Sequence, residues 1–439
     1  MKPPRARIAG RGAGAAAGLA LAVLAGVAHG ADTRGSTPRV VLPPYRLAAS
    51  ALGVIVNDAD PLSVRIARYY RKRRHIPRGN LIHVRFEPGH TVLTPDQFKR
   101  IRAQVKLSAP PRVQAYALTW AEPFRVGCMS ITSAFALGFH KAYCATRCAP
   151  TRAVPYFDSP SHAPYRDLGI RPTMALAART FAGAKALIDR GVRADGSRPE
   201  GTAYLVSTPD RARNVRADLF PAIRRIFGPL IHVDIVHGRG IRHRSDVLFY
   251  FTGTTEVPYL STLGFRPGAM ADHLTSAGGQ LIGSPQMSSL RWLQAGATGS
   301  YGTVVEPCNY RQKFPNPAVA MRWYLRGTTL LEAYWKSVRW PGQGIFIGEP
   351  LASPYGGYRL RRQGGRWELT TWALAPGRYR VQTAPSPVGP YRTRPAVLDV
   401  RFGQHRFALP RYAAAVYRLQ RLAPAAPGAI STGPRRPFP

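Results

Sequence analysis

The chain has 439 residues, 45% of them hydrophobic and 10% aromatic, enough to bury more than one core. Its 62 Lys and Arg face only 22 Asp and Glu, a formal charge of +40, and just 8 of the basic residues are Lys. A GC-rich genome accounts for Arg over Lys but not for the shortage of acids. That balance points to anionic partners such as membrane head groups or acidic envelope polymers, and no nucleic-acid-binding motif is present.

Lys2, Arg5, Arg7 and Arg11 precede an apolar run from Ala13 to Ala28, which closes on Ala28-His29-Gly30. This is the layout of a secretory signal peptide over residues 1–30, and its removal leaves a charge of +36. The run is short and rich in Ala and Gly for a membrane span, and the alternative reading is an uncleaved anchor. Periplasm or cell envelope is the expected location. Residues 31–48, polar and Pro-containing, read as a linker.

A first α/β unit is expected over 49–125. Gly53–Asn57 reads as a strand, and Asp60-Pro61 as the start of a helix reaching about His75. Leu81–Phe86 is a second strand. Thr94-Pro95-Asp96-Gln97 is a capping box that opens a helix carrying Phe98, Ile101 and Val105. Val113–Trp120 is a third strand. Strands alternating with helices imply parallel pairing through right-handed crossovers.

Residues 126–172 read as an irregular insertion. Its Tyr156, Phe157 and Tyr165 suit either a lid over a site or a packed structural segment. Four cysteines in an exported chain imply two disulfides, with Cys144–Cys148 and Cys128–Cys308 the expected pairing. Two alternatives stay open: His140, Cys144 and Cys148 as metal ligands, or Cys308 as a free nucleophile.

A second α/β unit is expected over 173–352. Thr173–Ile188 reads as a helix, Ala203–Val206 as a strand, and Thr208-Pro209 as the start of a helix kinked at Pro221. Ile231–Val236, Val247–Phe251, Gln280–Ile282 and Tyr301–Val305 read as strands. Helices follow at Ala318–Leu325 and Thr328–Val338, then a strand at Gly344–Gly348. From 357 to 422 apolar residues alternate at period two between Gly and Pro turns, the pattern of a small β-sandwich. The tail, 423–439, is Pro-rich and expected to be disordered.

Between Asp246 and Asn309 three apolar runs stop at polar turns, and in an open α/β sheet such turns gather where ligands bind. Thr254, Thr255, Glu256, Ser284, Gln286, Ser288, Ser289, Glu306 and Asn309 are the candidate binding residues. Catalytic candidates are Ser284, His273, Asp272, Glu256 and Glu306, because a Ser–His–carboxylate set can activate a hydroxyl. Asp272 and His273 are placed on a helix in this reading. There is no P-loop, G-x-S-x-G or H-E-x-x-H, and no metal or cofactor is expected.

Two α/β units and a β-sandwich resemble the layout of gingipain-type cysteine peptidases, relatives of the caspase fold. AGATGSYGTV is similar to the Gly/Ala-rich region after the catalytic Cys there, and GIFIGEPL to the closing motif. The resemblance implies a His-Gly ending one strand and a nucleophilic Cys ending the next. Here Phe251-Thr252-Gly253 and Gly283-Ser284-Pro285 are read at those positions, so the dyad does not carry over. His237-Gly238 falls on an edge strand in a 2-1-3-4 order.

RVGCMSITSAFALGF, YRDLGIRPTMALAA, FRPGAMADHLTSAGGQL, QMSSLRWLQAGATGSYGTVVEPCNY, QKFPNP and WPGQGIFIGEPLA resemble an uncharacterised exported bacterial family found in genomes that carry exosortase. That resemblance implies an envelope or exopolysaccharide setting. The expected role is an accessory protein binding peptide or glycan at the strand ends. Alternatives are a peptidase-like hydrolase using Ser and His in the same site, or a binder of anionic polymer or membrane surface held by charge.

Overall fold

The computed structural model describes residues 37–145 and 147–423. The expected signal peptide and nearly all of the Pro-rich tail lie outside them. No helix among the described residues is long and apolar enough to cross a membrane.

The strands of the main sheet, with one that precedes them, are β1 (Arg39–Val41), β2 (Leu52–Asn57), β3 (Leu81–Val84), β4 (Ala115–Leu118), β5 (Thr173–Ala175), β6 (Thr202–Ser207), β7 (His232–His237), β8 (Val247–Gly253), β9 (Phe265–Leu274), β10 (Gly299–Thr303) and β11 (Gly344–Gly348). All but β1 form one ten-stranded sheet, in the order β7-β6-β8-β9-β10-β11-β5-β4-β2-β3. The two expected α/β units thus share a single sheet but do not divide it: β5 and β11, from the second unit, join the half that holds β2, β3 and β4. Each half is parallel within itself, and the halves run in opposite directions because β10 and β11 pair antiparallel. The carboxyl ends of β6, β8, β9 and β10 thus share one rim of the sheet with the amino ends of β11, β5 and β4.

The helices are α1 (Pro61–Arg74), α2 (Pro95–Ser108), α3 (Ile131–Leu137), α4 (Pro164–Leu168), α5 (Phe181–Ala194), α6 (Phe220–Phe227), α7 (Leu290–Ala295), α8 (Pro317–Leu325) and α9 (Leu330–Ser337). They cover both faces. Leu52, Val54 and Val56 join a core with α1, α5, α6, α8 and α9, while Ile55 faces a second core with α2, α3 and α7. This is the period-two alternation of a strand buried on both sides. Local chemistry sets the helix starts. Asp60 accepts from the Leu62 N–H at α1, and Thr94 and Gln97 complete the capping box of α2.

Several expectations are corrected. Thr173–Ala175 is a strand, not a helix, because it fills the place between β4 and β11; Thr180 then caps α5. Gln280–Ile282 is a turn, and the strand beside β8 is β9. After Thr208-Pro209 the chain makes turns instead of a helix, and Pro221 sits in the first turn of α6, where its missing N–H costs nothing. Within the expected linker, β1 pairs in parallel with the strand Val416–Arg421.

That strand belongs to a four-stranded sheet with β1, Gly377–Ala384 and Arg392–Val400. Arg359–Gln363, Arg366–Thr370 and Arg406–Ala408 form a three-stranded sheet. Val40, Leu369, Tyr379, Val381, Phe407 and Leu419 from both sheets share one core.

The disulfides are Cys128–Cys144 and Cys148–Cys308, not the expected pairing. The helical turn Lys141–Tyr143 ends at Cys144, whose backbone is extended. Cys144 and Cys148 therefore part: one turns to Cys128, in the tight hairpin of Arg125–Val126 and Met129–Ser130, and the other to the rim at Cys308. Both being bonded, they do not join His140 as ligands, and Cys308 is no free thiol.

Candidate functional site

Asp272 and His273 lie near the carboxyl end of β9, opposite Phe251 and Thr252 of β8. Neighbours on a strand point to opposite faces. Asp272 is buried and forms an ion pair with the buried Arg216 at 2.6 Å. Arg216 also donates to the carbonyls of Thr252 (2.5 Å) and Pro315 (3.1 Å). Burial pushes the Asp272 carboxyl up to about 6, against the pull of Arg216.

His273 is buried on the other face. Its Nδ1 accepts the Trp292 indole N–H at 3.0 Å, so its proton is on Nε2, which donates to the Met287 carbonyl at 3.0 Å. Burial drives its pKa down to about 4. Both ring nitrogens are committed inside the core, and neither meets a hydroxyl. Asp272 and His273 are thus core groups of a strand, where the sequence reading had them on a helix as acid and base.

The hydroxyls after β9 hold a turn together. Ser284 donates to the Ala277 carbonyl at 2.8 Å and accepts from the Gln286 N–H at 3.2 Å. Gln286 accepts from the Thr275 hydroxyl and the Ala277 N–H, both at 2.8 Å. Ser288 donates to the Leu281 carbonyl at 3.1 Å, and Ser289 is buried. The turn packs backbone to backbone on β10: a Cβ on Gly302 would stand 2.5 Å from the Gly278 carbonyl carbon. That close approach is the reason for glycine in this stretch. Since β9 ends at Leu274, the residues beside the end of β8 are Thr275 and Ser276, not Gly283-Ser284.

The chain leaving β6 crosses over the end of β8. A Cβ on Gly253 would lie 1.9 Å from the Arg213 carbonyl oxygen, so only glycine admits that crossing. Arg213 then bridges the two strand ends, donating to the Thr275 hydroxyl at 3.2 Å and to Asp210 at 3.0 Å. Thr254 bonds the Glu256 carbonyl, the carbonyl of the exposed Thr255 accepts from the Met287 N–H, and the exposed Glu256 stands 3.6 Å from Arg291. Glu306 accepts from the Cys308 N–H at 2.6 Å.

What the rim does assemble is a cleft of about 520 Å³ between the segment after β6 and the segment after β10. Arg211, Asn214 and Asp218 line one side, and Asn309, Tyr310, Arg311 and Gln312 the other. Of the expected binding residues only Asn309 lines it. Cys148–Cys308 and a 3.1 Å bond from the Tyr310 hydroxyl to the Cys148 carbonyl tie this second side to the insertion. Lys313, just beyond, is buried, and burial lowers its pKa to about 8. Arg211, Arg213, Asn214 and Arg216 escaped notice because DRARNVR reads as the first turns of a helix; its density of Arg directly after a strand was the available signal. The insertion is no lid here: Tyr156 is buried in the main core, and Tyr165 stacks under Arg171.

On the opposite rim Glu349, of GIFIGEPL, is buried against Arg74, which also reaches Asp195, and it accepts from the Tyr70 hydroxyl at 2.7 Å. A Cβ on Gly191 of α5 would stand 2.5 Å from this carboxylate. The motif is a structural clamp between β11, α1 and α5.

The fold defines a mixed α/β protein built on one ten-stranded sheet, with smaller sheets appended. No family model matches the chain, and no curated protein matches it. Among solved structures it is similar to the complex of RgpB pro- and mature domains from Porphyromonas gingivalis, at 9% identity and a TM-score of 0.42, over 84% of this chain and 99% of that one. A second, described as a protease, aligns at 10% identity and a TM-score of 0.38, over 80% of this chain and 87% of that one. The resemblance to peptidases is distant, and likenesses at this level do not bear on the chemistry of the site.

Proposed function

We propose that the protein is an exported envelope protein that binds a peptide or glycan in the rim cleft and does not hydrolyse it through Ser284 and His273. One observation carries this reading: both nitrogens of His273 are consumed by Trp292 and Met287, while the rim cleft presents amides, an aromatic ring and guanidinium groups to solvent. A base must reach the proton it removes. Asn309 and Gln312 supply paired donors and acceptors suited to amide or hydroxyl chains, and Tyr310 a face for stacking. Export is supported by the N-terminal pattern and by two disulfides, which suit an oxidising compartment. The exosortase and exopolysaccharide setting is part of the same proposal and rests on the sequence resemblance.

The test is binding of the full chain to peptide and glycan arrays, followed by calorimetry. Tyr310→Ala and Asn309→Ala should each weaken the captured ligand about tenfold, close to 1.4 kcal/mol. Unchanged affinity in both variants would place the ligand elsewhere.

A second reading has its own observation. Residues 357–422 contain 13 Arg and only two acids, Glu368 and Asp399, a net of +11. Arg361, Arg362 and Arg366 are exposed on one hairpin. This supports attachment of the small sheets to an anionic polymer or membrane surface.

A further inference from the structure

We propose that a second cleft, at the amino ends of β4 and β5, binds a small organic oxyanion, a carboxylate or phosphate carried on a ring. It is independent of the rim cleft proposed above. The cavity measures about 670 Å³ and lies between α2, α3, α4 and the chain entering the two strands. That size falls within the range of small-molecule sites, roughly 300–1,000 Å³.

Its charge is one-sided. Arg102, Lys106 and Arg171 line it, and no Asp or Glu does. The guanidinium of Arg171 is held in place: its Nε donates to the Val113 carbonyl at 3.0 Å, and its Cζ lies 3.3 Å from the centre of the Tyr165 ring. Tyr116 flanks it at 5.5 Å. Arg102 comes from α2 and rests on the backbone of Gly138, where a Cβ would stand 3.0 Å from Nη2. Gly138 has φ +83°, so two constraints favour glycine beneath that guanidinium. Burial and the charge of Arg171 lower the pKa of Arg102, with Tyr116 acting the other way.

Two guanidinium groups drawn from separate elements into one cavity repel each other unless a counter-charge lies between them. A planar oxyanion is the counter-charge that guanidinium geometry matches best. The remaining wall is apolar, with Phe135 and Val105 offering a face to the body of the ligand. Inorganic phosphate would satisfy the cations and leave that face empty, so the cavity fits an anion with a ring attached.

The probes are benzoate, phenyl phosphate, inorganic phosphate and benzyl alcohol, titrated into the full chain by calorimetry. Benzoate or phenyl phosphate should bind with Kd below about 1 mM, a modest −4 kcal/mol. Inorganic phosphate and benzyl alcohol should each bind at least tenfold more weakly. Whichever of the first two is tighter assigns the oxyanion. Arg102→Gln should weaken that binding at least tenfold and Lys106→Gln a few-fold, with the melting temperature unchanged. The proposal is overturned if no probe binds, if benzyl alcohol or inorganic phosphate matches the ring-bearing anions, or if both variants bind as the parent does.

Discussion

His273 shows how one residue type changes meaning with its surroundings. Exposed, it would be a candidate base; in β9 it is a neutral ring that donates to Met287 and accepts from Trp292. Its pKa falls from an ordinary 6.5 to about 4. The unfolded chain takes up a proton as pH drops through about 6.5, and the folded ring resists until about 4. Its contribution to stability is therefore complete above pH 6.5 and is lost on acidification across that window, on the order of 3 kcal/mol. Asp272 has the opposite sign. Its folded pKa of about 6 lies above an ordinary 3.8, so its contribution is present below 3.8 and lost as pH rises through 6. The two oppose each other between about 4 and 6. Comparison with His273→Gln isolates the imidazole, because the amide can still donate and accept. In urea unfolding, the stability advantage of the parent over the variant should shrink by roughly 3 kcal/mol between pH 7 and pH 4. An advantage independent of pH would show that the ring is not held neutral.

Elements built on local chemistry were legible; those built on distant partners were not. Asp60-Pro61 and the Thr94–Gln97 box announce α1 and α2 because each cap is satisfied within four residues. FRPGAMADHL hides β9, because Pro, Gly, Asp and His all argue against a buried strand. It is one only because Arg216 neutralises Asp272 and Trp292 satisfies His273, and both arrive from elsewhere. Missing β9 moved the expected site from Thr275-Ser276 to Gly283-Ser284. The same principle governs the other rim. Glu349 is buried after β11 and depends on Arg74 of α1. Removing one partner of a buried pair leaves the other charge uncompensated, so Arg74→Ala should cost about 3–5 kcal/mol in chemical denaturation. A loss below about 1 kcal/mol, the range of surface pairs, would mean that Glu349 finds another partner or takes up a proton.

At the scale of the molecule, the antiparallel junction of β10 and β11 decides where function can sit. It turns one half of the sheet over, so the carboxyl ends of β8 and β9 and the amino ends of β4 and β5 share a rim, and with it the two clefts. No sequence pattern announces that reversal, because strand direction follows from which strands meet and not from their residues. Charge, by contrast, was legible from composition alone, and the structure adds that a net +11 of the +40 lies on residues 357–422, which form the small sheets. If those sheets hold an anionic surface, binding of the full chain to vesicles rich in anionic lipid, or to an acidic polysaccharide, should collapse between about 50 mM and 500 mM salt. Attachment that persists at the higher salt would rule out a charge-driven mode. The most direct measurement of the central proposal is mass spectrometry of a captured peptide or glycan after prolonged incubation with the protein. Full recovery of intact ligand is predicted. Cleavage that disappears in Ser276→Ala, Ser284→Ala or His273→Gln would contradict it.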